Sequence, residues 1–250
     1  MSELLSSSAD TLAASVTVDS TSYSVGPVGE ASGTAPPAFD KRVVVHNVNK
    51  SFKLDPSDPL GLTATVDAKG MVDTASSNGI GVDSVSTDAT AVINSANLLL
   101  VDNPSPTLAI VALSLQAHFI HSESNSSYVF GPNVGSVSGE VKMGSLTIGG
   151  ALLGGKTVTF KGGDVKPDTV IYSQDGVTIT LDKQTLNELL PPTPAAGAQT
   201  QPIPNHIVTD AIDISFSNAH LLGHTINGDI AVGQTSADYY TSPVPPVTAS

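Results

Sequence analysis

Residues 169–182 read TVIYSQDGVTITLD. Val177, Ile179 and Leu181 alternate with Thr178, Thr180 and Asp182. That is the period-2 pattern of a strand with one face in a core and one in water. Asp175-Gly176 stands between this run and residues 169–173. Asp-Gly between two such runs is a strong hairpin signal, because a two-residue turn asks both central residues for positive φ. The alternation recurs along the chain. Leu62, Ala64 and Val66 alternate with Thr63, Thr65 and Asp67. Val111, Leu113, Leu115, Ala117 and Phe119 alternate with Ala112, Ser114, Gln116 and His118, and Val158 and Phe160 with Thr157, Thr159 and Lys161. Asn227-Gly228 predicts a second hairpin, between residues 220–226 and 229–235, and paired glycines at 149–150, 154–155 and 162–163 mark further turns.

These signals predict an all-β fold, a long-stranded antiparallel β-sandwich or sandwich-like domain with at most one or two short helices. Residues 182–190 (DKQTLNELL) read as two helical turns stopped by Pro191-Pro192, and residues 2–14 as one further turn. One all-β domain is expected over residues 1–242, with an N-terminal strand segment at 1–40. A Pro/Ala-rich loop at 191–205 (PPTPAAGAQTQPIPN) is an insertion, and 243–250 a Pro-rich tail. A short pattern recurs at residues 95–99, 116–120 and 218–222: a polar residue, Ala, Asn or His, then two apolar residues. Its spacing is irregular, so it predicts a repeated packing solution and not a solenoid.

Composition narrows the function. The 250 residues are 40% hydrophobic, but with 6 Phe, 5 Tyr and no Trp, so the apolar share is mostly Ala, Val, Ile and Leu. Ten Lys and Arg face 23 Asp and Glu, a net charge of −13, which disfavours nucleic acid and anionic lipid. No cysteine is present, which excludes disulfides, thiolate metal sites and cysteine nucleophiles. No stretch approaches the ~20 apolar residues of a transmembrane helix. The first basic residue is Lys41, and no basic n-region or apolar h-region precedes it, so the expectation is export either with a signal peptide already removed or by a route that needs no N-terminal signal.

Three segments resemble a bacterial family. Residues 109–150 end in the glycine-rich strand Leu146-Thr147-Ile148-Gly149-Gly150; residues 177–184 read VTITLDKQ; residues 212–232 contain Gly228-Asp229-Ile230. Over residues 85–235 the chain is similar to the choice-of-anchor P family. The resemblance implies a secreted, cell-surface β protein with no chemistry of its own. The sorting motif and apolar tail that anchoring would use are not found in residues 1–250.

Candidate sites are sparse. Among six histidines, His220 and His224 lie four apart, on one face of a regular strand, and with Asp229 across the Asn227-Gly228 turn they form the candidate metal set. Asp55 and Asp58, Asp67 and Asp73, and Asp83 and Asp88 are scattered carboxylates; none forms an EF-hand loop, and calcium is the one cofactor they would admit. No Gly-x-Ser-x-Gly, Walker loop or dinucleotide fingerprint occurs. Asn49-Lys50-Ser51 and Asn125-Ser126-Ser127 match glycosylation sequons, which carry no meaning in a bacterium. The leading expectation is a non-enzymatic, extracellular or cell-surface structural or adhesive protein. It would self-assemble through exposed β edges into a filament or surface layer, with residues 14–25 (ASVTVDSTSYSV) as the donated or edge strand. The alternative is an extracellular module for surface polysaccharide or calcium, and a secreted hydrolase ranks lower.

Overall fold

The computed structural model describes residues 5–35, 37–53, 62–78, 84–105, 107–129, 132, 134–187, 205–221 and 223–239. Fourteen strands follow one another: β1 (Leu5–Val18), β2 (Thr21–Val28), β3 (Ala31–Ala35), β4 (Asp40–Lys53), β5 (Thr63–Ser77), β6 (Ser84–Ser105), β7 (Leu108–Val129), β8 (Val134–Gly149), β9 (Thr157–Phe160), β10 (Gly163–Val165), β11 (Thr169–Gln174), β12 (Val177–Asn187), β13 (His206–Leu221) and β14 (His224–Asp238). A single 3-10 turn, Ala151–Leu153, is the only helical element among the described residues.

The strands form two seven-stranded antiparallel sheets packed face to face, so the expected sandwich is the fold. The first sheet runs β11-β12-β13-β14-β1-β2, with β3 continuing the β2 side of β1. The second runs β10-β8-β7-β6-β5-β4, with β9 continuing the β10 side of β8. Nearly every neighbour in a sheet is also a neighbour in sequence; the exception of longest range is β1 against β14. The Asp175-Gly176 turn joins β11 to β12 as the sequence predicts, with Asp175 at φ 51° and Gly176 at φ 77°.

Side-chain parity changes halfway along the sheets. In β5 the buried residues are Ala64, Val66 and Ala68, then Met71, Asp73, Ala75 and Ser77. In β6 they are Val85, Thr87, Ala89, Ala91 and Ile93, then Ala96, Leu98, Leu100 and Asp102. In β7 they are Leu113, Leu115 and Ala117, then Ile120, Ser122, Ser124 and Ser126. The added residues, Gly70, Asn94, Phe119 and Gly144, stand at one level, flanked by the same ladder pairs. The first sheet does likewise at Thr11, Gly233, Ala211 and Asp182, with Gly233 at φ 66° and Asp182 at φ 51°. Both sheets are thus creased across their width. Since a strand's side-chain period is two, one added residue turns every later side chain over.

The creases divide the interior. On one side lies an apolar core built from Leu98, Leu100, Leu113, Ile179, Ile212 and their neighbours. On the other side many buried residues are small or hydroxylated, and a second apolar cluster of Leu5, Ala35, Val85 and Tyr239 lies beyond them. Ser124 Oγ bonds Thr209 Oγ1 at 2.9 Å and Thr235 Oγ1 at 2.8 Å, and Thr87 Oγ1 bonds Ser126 Oγ at 2.6 Å. Side chains this short let the sheets approach closely. A Cβ at Gly139 would collide with Thr209 Oγ1, so β8 needs glycine there.

Four expectations are corrected. Residues 182–187 lie in β12, not a helix, because Lys183, Gln184 and Thr185 pair with Asp210, Thr209 and Val208 of β13; residues 188–190 are outside the described residues. Tertiary pairing overrides the local helical preference. Residues 5–14 likewise lie in β1. Asn227-Gly228 is inside β14, and the chain reverses between Leu221 and His224, which pair. Gly228, at φ 114°, faces the Ser15 carbonyl where a Cβ would not fit, and Asn227 Oδ1 accepts the Asn218 amide at 2.7 Å across a β-bulge. Val111 and Phe119 do not share the inward face of Leu113–Ala117. They are 44% and 56% exposed because a bulge precedes Leu113 and the crease passes through Phe119 (φ 51°). The 191–205 insertion and the 243–250 tail fall on residues that, Asn205 aside, lie outside the description.

Candidate functional site

The hairpin reversal separates the predicted metal set. His220 stands on β13 and His224 on β14, so they do not share a strand. His220 is exposed, its Nδ1 3.5 Å from Thr225 Oγ1. His224 Nδ1 lies 2.5 Å from Asp19 Oδ2 in the β1–β2 turn. Asp229 is exposed and pairs with Ser15 and Ser215, four residues along β14 from Thr225, the ladder partner of His220. Among the described residues no three His, Asp or Glu side chains form a group that could hold a metal ion.

Of the scattered acids, Asp55, Asp58 and Asp83 lie outside the described residues. Asp67 meets Lys69 at 3.5 Å on the outer face of β5. Asp88 is half-buried near Glu123, and burial, then that charge, raise its carboxyl above the usual range. Asp73 is different. It points between the sheets, 1% exposed, and Thr11 Oγ1 donates to its Oδ2 at 3.1 Å. Its Oδ1 meets no donor among the described residues. Burial pushes this carboxyl up to about 7, with the Thr11 hydrogen bond opposing and Asp10 adding to the rise.

A polar row crosses the outer face of the first sheet beside its crease. Asp10, Gln234, Asp210 and Lys183 are successive ladder partners on β1, β14, β13 and β12. Gln234 Nε2 donates to Asp210 Oδ1 at 2.7 Å. One row on, Asp213 accepts from Lys183 Nζ at 3.0 Å and from Ser215 Oγ at 2.7 Å. Asp210 and Asp213 are only 6% and 3% exposed, and Asp10 only 9%. Burial raises Asp10 and Asp210 to about 6, with Glu30 adding to the rise at Asp10. The row accepts hydrogen bonds and, near pH 6, holds carboxyls that also donate. It contains no nucleophile held by a base. None of these residues was flagged from sequence. The available signal was the pair Asp210 and Asp213, three apart in residues 206–216 (HIVTDAIDISF), which breaks the period of two.

The interior offers no comparable polar space in its apolar half. A cavity of about 40 Å³ lies there, lined by apolar residues including Leu12, Tyr23, Val66, Leu100, Phe216 and Ile230. It is about the size of a single water's share of liquid volume, without polar partners for one.

Among the described residues each sheet ends in strands with a ladder partner on one side only. A terminal strand leaves one row of backbone N–H and C=O groups without a ladder partner. The second sheet ends in β4, 14 residues long, with Lys41, Arg42, His46 and Lys50 exposed and Val44 47% exposed. The first ends on the same side in β2 and β3. Residues 14–25 are therefore a hairpin and not one edge strand: β1 is internal, the chain turns at Asp19-Ser20, and β2 alone lies at the edge.

No family model matches the sequence, and neither a curated protein nor a solved structure matches it. Among the described residues no helix is long and apolar enough to cross a membrane.

Proposed function

We propose that the chain is a non-enzymatic structural or adhesive protein of the bacterial cell exterior, and that it self-assembles through its sheet edges. The observation that carries this reading is the 14-residue β4 at the end of a fully antiparallel sheet, with no strand on its outward side among the described residues. The interior supports it too. It is filled by packed apolar residues and by hydroxyls already bonded to one another across the sheets, so ligand volume is not the use of this core. The resemblance to the choice-of-anchor P family points to the same compartment. Sedimentation and electron microscopy of the purified chain over a concentration series test the reading. Oligomers or fibres growing with concentration are expected; monodisperse particles throughout would remove it.

A second reading is favoured by the polar row. Asp10, Asp210 and Gln234 lie side by side on the outer face, the two carboxyls nearly buried, and carboxyls beside an amide are the kind of set that recognises a hydroxyl-rich ligand such as surface polysaccharide. Thermal melting with polysaccharide or calcium separates the two. A rise of several degrees favours a binding module, and an unchanged melt favours the structural role.

A further inference from the structure

The charges of this acidic protein are sorted between its sheets. Seven of the ten cations stand on or beside the terminal strands of the second sheet: Lys41, Arg42, Lys50 and Lys53 on β4, and Lys156, Lys161 and Lys166 around β9 and β10. The β2–β3 edge of the first sheet carries none. From residue 5 to residue 35 the charged side chains are Asp10, Asp19 and Glu30.

Resting on the self-assembly reading, we propose that β4 of one copy pairs with the β2–β3 edge of a second copy, and the reverse. The second sheet of each would then continue into the first sheet of the other. Three observations select this arrangement. First, β4 against β4 would set Lys41, Arg42, Lys50 and Lys53 against their own copies, whereas β2–β3 offers Glu30 and the Asp19 turn. Second, the lengths agree. β4 has 14 residues, and β2 and β3 have 8 and 5 on one continuous side of β1; β11, the other edge of that sheet, has 6. Third, β3 packs over β4 and β5, so both edges lie on one side of the sandwich. A two-fold axis therefore makes the same contact twice. Lysine on an edge strand ordinarily guards against pairing. Here it rejects the like-charged edge and admits the acidic one.

Two full-length variants test this. K41E/R42E/K50E makes both edges acidic, and S24K/E30K makes both basic; every substituted side chain is exposed. Sedimentation velocity at low salt should show wild type associating, with each variant alone weakened by about tenfold or more. An equimolar mixture of the two should restore association, since acidic then meets basic at both contacts. Raising salt from about 0.05 M to about 0.5 M should weaken wild type and mixture alike. Melting curves close to wild type establish that the variants fold. Wild-type association with K41E/R42E/K50E unchanged, or a mixture that fails to associate, overturns the pairing while leaving self-assembly standing. A wild type that stays monomeric removes both.

Discussion

Asp73 shows what burial does to one residue in this sandwich. Its carboxyl lies between the sheets with a single donor, Thr11, and is pushed up to about 7. Asp10 and Asp210 are raised to about 6 by the same cause. A carboxyl raised in the folded state favours the fold while protonated. That contribution is full below the ordinary value of 3.8 and is lost as pH climbs through 6 and 7. The melting temperature should therefore rise as pH is lowered from 8 toward 5. Asp73→Asn should flatten part of that rise, which scanning calorimetry across pH would show; an unchanged profile counts against a buried, titrating Asp73. Gly233 makes a steric demand instead. It sits at φ 66° in the crease, and a Cβ there would stand 3.1 Å from Ala211 Cβ and 3.3 Å from Ile120 Cγ2. Gly233→Ala should cost about 2 kcal/mol in urea unfolding, from the left-handed backbone and the crowding together.

At the level of strands, the sequence was readable wherever the period of two held. Val177–Leu181 and Ala64–Val66 face inward as their alternation says, and the Asp175-Gly176 turn lies where its chemistry puts it. It was unreadable wherever one added residue shifted the phase. Phe119 looks like the end of an inward series and is the crease itself; Asp182 looks like a helix start and is the same device in the other sheet. Asn227-Gly228 has turn chemistry but lies opposite a β-bulge at Ser217-Asn218 of β13, where Gly228 alone of the pair takes positive φ and Asn227 caps the bulge through its side chain. The polar row was invisible for a related reason, since Asp10, Gln234 and Asp210 become neighbours only through the β1–β14 and β13–β14 ladders. Beyond the creases, hydroxyl pairs stand beside the apolar packing. Ser124→Ala should therefore destabilise by about 1–2 kcal/mol despite the small change in volume, because Thr209 and Thr235 lose a shared partner. Chemical denaturation measures this, and a neutral effect would mean that the hydroxyl cluster does not hold the sheets together.

Over the whole molecule, sequence-adjacent strands fill both sheets, and the β1–β14 pair joins the two ends of the strand order inside the first sheet. Among the described residues β4 and the β2–β3 pair have no ladder partner on their outward side, and the cations are concentrated on the terminal strands of the second sheet. The assembly proposed above would use these edges, whose outward backbone groups could pair with another strand. Amide hydrogen exchange reports on those groups strand by strand. Exchange measured on dilute and on concentrated wild-type protein should show β4, β2 and β3 gaining protection with concentration, while internal β6 and β7 remain unchanged. Identical exchange at β4 across the whole concentration range would contradict assembly through this edge.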